Sequence, residues 1–376
     1  MALRHALLAT VVVAVAAPVA AAPHVDLYTM GPGDELFSTF GHAALCVRDG
    51  ERGDRCYNFG TADFSTPLPL TWDFVRGRAR FWVSAIDEAT MLAFYVRSDR
   101  TVYRQTLPVG DATAIRLARA LDEATDERVK YYRYHHFHDN CTTRLRDLID
   151  DATLGQLRGD EPGRGRSFRD FARQGFAGSW PLLLGADLLL GRPADRQATV
   201  YEAMFLPDEL RAEVQRRLGA VPEVIHTRRR PLPVGATWSG DLAALLLGLA
   251  LAALILAGAR LRRPRLGALL PGLLLGLLGV IVTLLAGAST FPELRESESL
   301  LIFWPADLLL PLLPPPWRRR YASLRLALLA LLALGHLPGW FVQPPAALLL
   351  PALPMLALWW SEARSAAMQQ KAAGGA

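Results

Sequence analysis

Cysteine is scarce in this sequence, which has three in 376 residues: Cys46, Cys56 and Cys141. So low a content excludes a scaffold held together mainly by disulfides. Internal repeats and long low-complexity tracts are also absent from residues 23–225, which excludes a solenoid for that part. This stretch is long enough to bury a core of its own and predicts one globular domain.

Hydrophobic residues make up 51% of the chain, and the excess lies at its two ends. Residues 1–22 have a basic start, an apolar run and small residues after it. This layout is typical of a secretory signal peptide, with cleavage near Ala21 or Ala22. An uncleaved membrane anchor is the alternative.

The C-terminal part carries five apolar blocks from about Asp241 onward. The first two are close to the roughly 20 residues that a spanning helix needs. The third and fifth are shorter and interrupted by proline, which favours re-entrant or kinked segments. We expect a transmembrane domain of about five spans over residues 241–362, followed by a cytoplasmic tail over residues 363–376.

Two clusters of arginine predict the orientation of these spans. Arg260–Arg265 separates the first two blocks, and Trp317–Tyr321 follows the third. Placing both clusters in the cytoplasm satisfies the positive-inside rule and leaves the chain before Asp241 outside, as the signal peptide also requires. The net charge of +5 therefore needs no nucleic-acid partner. Residues 226–240, which include three consecutive arginines, are interpreted as a solvated linker.

Residues 23–225 combine strand and helix patterns, so we expect an α+β fold. The stretches "FGHAALCV" and "DRCYNFG" predict two strands joined by a polar turn. Downstream, Leu145, Leu148 and Ile149 have the spacing of one buried helical face, in a helix that begins at Cys141.

The two predicted strands carry Cys46 and Cys56 on either side of the turn, which favours a cross-strand disulfide in an exported protein. Cys141 is then left over. Asn140 is a good N-cap residue, and a thiol at a helix N-terminus is activated by the helix dipole. His42 follows a glycine on the first strand and is the candidate base.

The strand period adds a third residue to this candidate site. If Cys46 pairs with Cys56, then Asn58 lies on the same face as His42 and diagonally opposite it, where it can orient the imidazole.

Two other interpretations of Cys141 remain open. His135, His136, His138 and Cys141 are all zinc-ligating residue types, but adjacent histidines on a strand point to opposite sides, so convergence is difficult. Cys141 as a buried structural thiol is the second alternative. No metal and no cofactor are expected.

The blocks "FGHAAL", "YNFGT", "DNCTTRLRD" and "MFLPDEL" resemble the periplasmic domain of the Lnb-type lipoprotein N-acyltransferases, from about Val25 to about Leu210. The resemblance implies a permuted papain-like (NlpC-type) domain in which the histidine strand precedes the cysteine helix. It also implies that Cys141 is the nucleophile and His42 its base, with Asn58 as a second polar residue. The membrane-spanning half that follows is similar in kind.

What the resemblance implies for function is a multi-pass enzyme of the bacterial inner membrane, with its catalytic domain in the periplasm. The acyl donor would be a membrane phospholipid or the lipoprotein's own diacylglycerol, and the acceptor a lipoprotein's N-terminal amine. Arg144, Tyr134 and Asn140 are expected to contact substrate, with packing as the alternative for each. A cysteine peptidase or amidase acting on peptidoglycan, or a non-catalytic envelope protein, are the rival functions.

This chain departs from the family pattern at one point. In that pattern, the outer loop between the second and third spans carries a segment that contains histidine and asparagine. Here the loop reads "STFPELRESESLLIFWP", with neither residue.

Overall fold

A computed structural model describes residues 23–49, 53–159, 161–233 and 235–374, with side chains left out at 162–164 and 371–374. The predicted signal peptide, residues 1–22, lies outside the described residues, as does part of the predicted turn between the two cysteines. Residues 23–226 form a mixed α+β region, and the rest of the described chain is helical. The expected α+β class with a helical C-terminal half is confirmed.

An antiparallel sheet in the strand order β6-β4-β3-β2-β1-β5-β9 organises the first part of the chain. Its strands, together with the separate β7–β8 pair, are β1 (His24–Met30), β2 (His42–Arg48), β3 (Arg55–Thr61), β4 (Arg80–Asp87), β5 (Val102–Thr106), β6 (Tyr131–Arg133), β7 (Pro162–Ser167), β8 (Gln197–Thr199) and β9 (Glu223–His226).

The helices of this part cover both faces of the sheet. They are α1 (Pro67–Val75), α2 (Glu88–Arg97), α3 (Asp111–Glu123), α4 (Cys141–Ala152), α5 (Phe168–Phe176), α6 (Trp180–Leu189), α7 (Val200–Ala203) and α8 (Pro207–Leu218). Apolar side chains of α3, α4 and α8 pack against one face of the sheet, and α2 packs against the other with the two strand cysteines. Because both faces of the sheet are covered, the central strands need apolar side chains on both sides, and most of their residues are apolar.

The β2–β3 hairpin has the register expected from the sequence. Cys46 is paired directly with Cys56, and the two form a disulfide. The following strand residues therefore keep the predicted alternation, with His42 at the start of β2 and Asn58 in β3.

The expected linker is partly ordered by the domain before it. Its first residue, His226, belongs to β9, which pairs with β5. Arg228 forms an ion pair with Asp34, and Asp99 accepts hydrogen bonds from the backbone N–H groups of the two arginines that follow. The arginine run thus docks onto the preceding domain.

The helical part of the chain consists of α9 (Ser239–Arg260), α10 (Pro264–Ala288), α11 (Pro292–Arg295), α12 (Ser299–Ile302), α13 (Pro315–Gly335) and α14 (Pro345–Gly374). Among the described residues, three helices are long and apolar enough to cross a membrane: α9, α10 and Pro345–Gln370 of α14. About five spans were expected. The α13 helix, with 21 residues, is long enough but carries four arginines. The number of crossings stays a prediction.

The third apolar block is not one helix, because its prolines remove backbone donors and break the helical pattern. It forms α12 and a short 3₁₀ turn, Pro305–Leu309, that lie along α10. Small residues on α10 make room: Gly276 abuts Leu308, and Gly279 abuts Trp304. Small residues on a helix let a neighbouring non-helical segment approach it closely.

Candidate active site

The N-terminus of α4 is held in place by its N-cap residue. Asn140 Oδ1 accepts hydrogen bonds from the N–H groups of Thr142 and Thr143, at 2.8 and 2.9 Å. Asn140 Nδ2 donates to the carbonyl of Phe205, at 3.0 Å. Because its side-chain oxygen and amide are both engaged, Asn140 is a cap that fixes Cys141 as the first residue of the helix.

A glycine allows this helix end to approach the sheet closely. Gly60 in β3 has a φ of +97°, which other residues rarely adopt, and a Cβ built there would lie 3.3 Å from Cys141 Cβ. A side chain at this position would push the thiol away from the hairpin.

His42 connects the thiol to Asn58. The imidazole acts on the Cys141 thiol by lowering its pKa, and its Nε2 lies 3.3 Å from Asn58 Oδ1. Asn58 Nδ2 donates to the carbonyl of Cys56, so its Oδ1 is the atom that accepts from His42 Nε2–H. This tautomer leaves His42 Nδ1 free to accept the thiol proton.

The surroundings of Cys141 favour its ionised form. Burial by itself would raise the pKa of the thiol. The positive charge and hydrogen bond of His42, together with hydrogen bonds from the Thr142 hydroxyl and the Ala43 N–H, outweigh burial and lower the pKa below its ordinary value. A thiol beside a histidine at a helix N-terminus is the setting in which proteins activate cysteine nucleophiles.

An apolar cavity of about 390 Å³ opens beside Cys141 and His42. Aromatic and aliphatic side chains make up most of its wall. Tyr134 is among them, with its ring stacked on Phe81 at a centroid distance of 4.3 Å. Burial raises the pKa of Tyr134 well above its ordinary value, so the phenol stays neutral. The cavity therefore suits an apolar ligand whose reactive end reaches the thiol.

The loop after α10 completes one side of this cavity with Phe291, Glu293 and Leu294. Glu293 is buried, and its carboxylate lies 3.1 Å from His138 Nε2 and 3.5 Å from His135 Nε2. Burial opposes ionisation of Glu293, but hydrogen bonds from the two histidines hold its pKa well below the usual range. The membrane half is thus joined to the segment just before Cys141.

The same three side chains have their ligand atoms within 4.8 Å of one another, which raises the question of a metal ion. His135 Nδ1 accepts hydrogen bonds from the N–H groups of Phe137 and His138, at 3.2 and 3.3 Å. The proton of the neutral ring is then on Nε2, which faces Glu293 Oε2 at 3.5 Å and has no lone pair left for a metal. These contacts favour a hydrogen-bonded cluster over a metal centre.

Residues 18–167 match a family model described as the Lnb N-terminal periplasmic domain. This part of the chain is an Lnb-type periplasmic domain. The matched range contains His42, Asn58 and Cys141, and the resemblance inferred from the sequence blocks is confirmed. Together with the three helices able to cross a membrane, the match makes the chain a membrane protein with a periplasmic domain. Nothing among the curated proteins or the solved structures matches it.

The structure gives the contacts of two residue sets singled out in the sequence of the Lnb-type domain. Arg144 is held by Asp139 through two hydrogen bonds and lies over the Tyr132 ring at 3.8 Å, so packing accounts for it. His136 is turned away from the other histidines and packs against Phe40, at a centroid distance of 4.5 Å. The set of three histidines with Cys141 therefore does not converge.

Glu293 and the apolar wall are the parts of the site that sequence reasoning missed. His138 and Glu293 are separated by 155 positions, and no spacing rule connects them. One signal was present: a carboxylate in an outer loop, in a chain whose histidines cluster just before the leftover cysteine.

Proposed function

We propose that this chain is a lipoprotein N-acyltransferase of the bacterial inner membrane that works through a thioester on Cys141. One observation carries the proposal: Cys141, with its pKa lowered by His42, lines together with His42 an apolar cavity to which the membrane half also contributes. A long acyl chain fits such a wall, whereas the polar groups of a glycan strand or peptide would lose their hydrogen bonds to water against it.

In the first step, the Cys141 thiolate attacks the ester carbonyl of the acyl donor. The carbon–sulfur bond forms, the ester carbon–oxygen bond breaks, and the departing alkoxide takes a proton from the His42 imidazolium. The donor is a membrane phospholipid or the diacylglycerol of the lipoprotein itself. Asn58 keeps the imidazole in the tautomer that this transfer requires.

In the second step, the N-terminal amine of a lipoprotein attacks the thioester. The amide bond forms, the carbon–sulfur bond breaks, and neutral His42 accepts the proton that the amine loses. Cys141 is left as the thiolate, so no cofactor is consumed.

The negative charge that develops on the carbonyl oxygen needs donors. Asn140 engages the N–H groups of Thr142 and Thr143, so the N–H of Cys141 at the start of α4 is the first candidate. The hydroxyl of Tyr132 is the second, because it is buried and has no hydrogen-bond partner among the described residues.

The predicted substrate contacts divide into two groups under this proposal. Tyr134 lines the cavity and would touch the acyl chain. Asn140 and Arg144 act as positioning residues, through the helix cap and through Asp139. Residues 23–225 are the proposed periplasmic catalytic domain, and the spanning helices hold it at the membrane where both substrates lie.

The test is mass spectrometry of N-terminal lipopeptides from cells in which this chain is the sole N-acyltransferase. We expect an N-acyl chain with the wild-type protein and none with Cys141→Ser, which keeps the size of the side chain. Leu154→Ala, a change at an exposed residue, is the matched control and should leave N-acylation intact.

The rival functions correspond to other outcomes. Unchanged N-acylation with Cys141→Ser would contradict the thioester route. Altered peptidoglycan fragments without any change in lipoproteins would favour an amidase. No change in either would favour a non-catalytic envelope protein.

A further inference from the structure

Helix α1 exposes large apolar side chains that its own domain leaves uncovered. Leu68 is 83% exposed and Trp72 is 46% exposed. They are four residues apart and therefore lie on one helix face. Phe64, in the segment just before the helix, is 49% exposed. Water-facing helices place polar residues on such a face, so this surface has a different partner.

The position of α1 relative to α10 identifies that partner. The N–H of Thr290 donates to the carbonyl of Arg76, at 3.2 Å, and the ring of Phe74 packs against Phe291. Thr290 and Phe291 follow directly after the end of α10, a helix of 25 residues that is long enough to span a bilayer. The end of α1 is thus level with the end of a spanning helix.

Exposed tryptophans also lie next to the ends of other helices in the membrane half. Trp238 immediately precedes α9 and is 62% exposed, and Trp340 lies between α13 and α14 and is 80% exposed. Tryptophan is enriched at membrane–water interfaces because its ring is apolar and its N–H is polar. Trp72 has this character too, and the guanidinium of Arg76 lies 5.5 Å from its ring, where it can reach a lipid phosphate.

The last turn of α1 forms part of the cavity wall. Thr71, Phe74 and Val75 line it together with Cys141. We propose that α1 lies in the outer-leaflet interface of the membrane that holds α9 and α10, with Leu68 and Trp72 in lipid and the adjoining residues of its last turn walling the cavity. Lipid substrates then pass from the bilayer over α1 to the thiol, a passage that rests on the proposed acyl transfer. The contact of α1 with lipid does not.

Depth measurements on full-length protein test the contact with lipid. Leu68→Cys and Leu154→Cys are each made in a Cys141→Ser background, in which the two strand cysteines remain in their disulfide. A nitroxide is attached, and the protein is placed in nanodiscs of phosphatidylethanolamine and phosphatidylglycerol. Leu154, just after α4, is the matched control because it is 92% exposed and at the helix end away from Cys141.

We expect the label at position 68 to be more accessible to oxygen than to a water-soluble nickel chelate, and the label at position 154 to show the reverse. Equal chelate access at both positions would overturn the proposal. Low access to both reagents at position 68 would also overturn it, because the face would then be covered by protein.

Kinetics test the passage of substrate. Leu68→Glu should raise the KM for a diacyl phospholipid donor about tenfold, since a charge opposes insertion into the interface, and should leave the turnover of a short water-soluble thioester unchanged. Leu154→Glu should change neither. Equal loss with both donors would overturn the passage. Absence of any Cys141-dependent transfer in the wild-type protein would refute the proposed function while the depth result still stands.

Discussion

The two sides of the cavity come from different halves of the chain. The polar side, with Cys141, His42 and Asn58, belongs entirely to the Lnb-type periplasmic domain and depends on one hairpin and one helix end. The loop after α10 supplies Phe291 and Glu293 from the membrane half. Under the proposed function, the reacting groups come from the first half alone, whereas the shape of the cavity depends on both halves.

The largest effect on the rate should come from a change in the periplasmic domain. His42→Ala should lower acyl transfer by about 10²- to 10⁴-fold, since it removes the general base. In the wild-type protein the lowered pKa of Cys141 makes the thiolate available below the ordinary thiol range. Without His42 the pKa rises, so the rate should increase only at higher pH. The measurement is the pH–rate profile of reconstituted full-length protein.

Asn58→Ala is the control for this experiment. It keeps the base and removes only the group that orients it, so the rate should fall less and the profile should keep its position. A His42→Ala variant with the wild-type profile would show that another group takes the proton.

The membrane half should lose stability when its buried charge pair is broken. Arg325 and Asp307 are fully buried and 3.1 Å apart, and Arg325 also donates to the carbonyl of Ile302. Arg325→Leu should destabilise the protein by about 3–5 kcal/mol, because Asp307 is left without its counter-charge. Thermal unfolding in detergent or nanodiscs measures the change.

Two comparisons sharpen this prediction. The double variant Arg325→Leu/Asp307→Leu should recover much of the loss, since neither charge then remains buried. Arg128→Leu, which breaks the exposed pair with Asp126 in the periplasmic domain, should produce no measurable change. A loss from the double variant as large as from the single one would refute the unpaired-charge explanation.

A smaller effect should appear at His136, beside the cavity. Burial lowers its pKa from 6.5 to about 4, so the folded protein holds the neutral ring. The unfolded chain binds a proton more readily, and stability is therefore lost as the pH falls from about 6.5 towards 4. The loss is about 3 kcal/mol at most, at about 1.4 kcal/mol per pKa unit.

His136→Phe should remove this part of the pH dependence, measured as the difference in melting temperature between neutral and mildly acidic buffer. His24→Phe, at an exposed histidine in β1, controls for the loss of a histidine. An unchanged pH dependence in His136→Phe would mean that other groups carry it.

The sequence predicted the structure best where residues follow a strand period or a helix-start preference. The disulfide register, the position of His42 opposite Asn58 and the cap at Asn140 all follow from strand alternation or helix-start preferences. It could not decide between substrate contact and packing for Arg144, since a free guanidinium and one held by Asp139 have the same local sequence. The third apolar block also shows the limit, because its prolines predict a broken helix but not the groove on α10 that receives it.

By itself, the sequence determined the elements and the placement of His42, Asn58 and Cys141 within them, because strand alternation and helix capping act between neighbouring residues. Only the tertiary structure decided that Glu293 meets the histidines ahead of Cys141, and that an apolar cavity forms where the two halves meet. Those contacts join positions that are far apart in the chain. They exist because burying apolar surface brings the halves together, and no local pattern records which surfaces will meet.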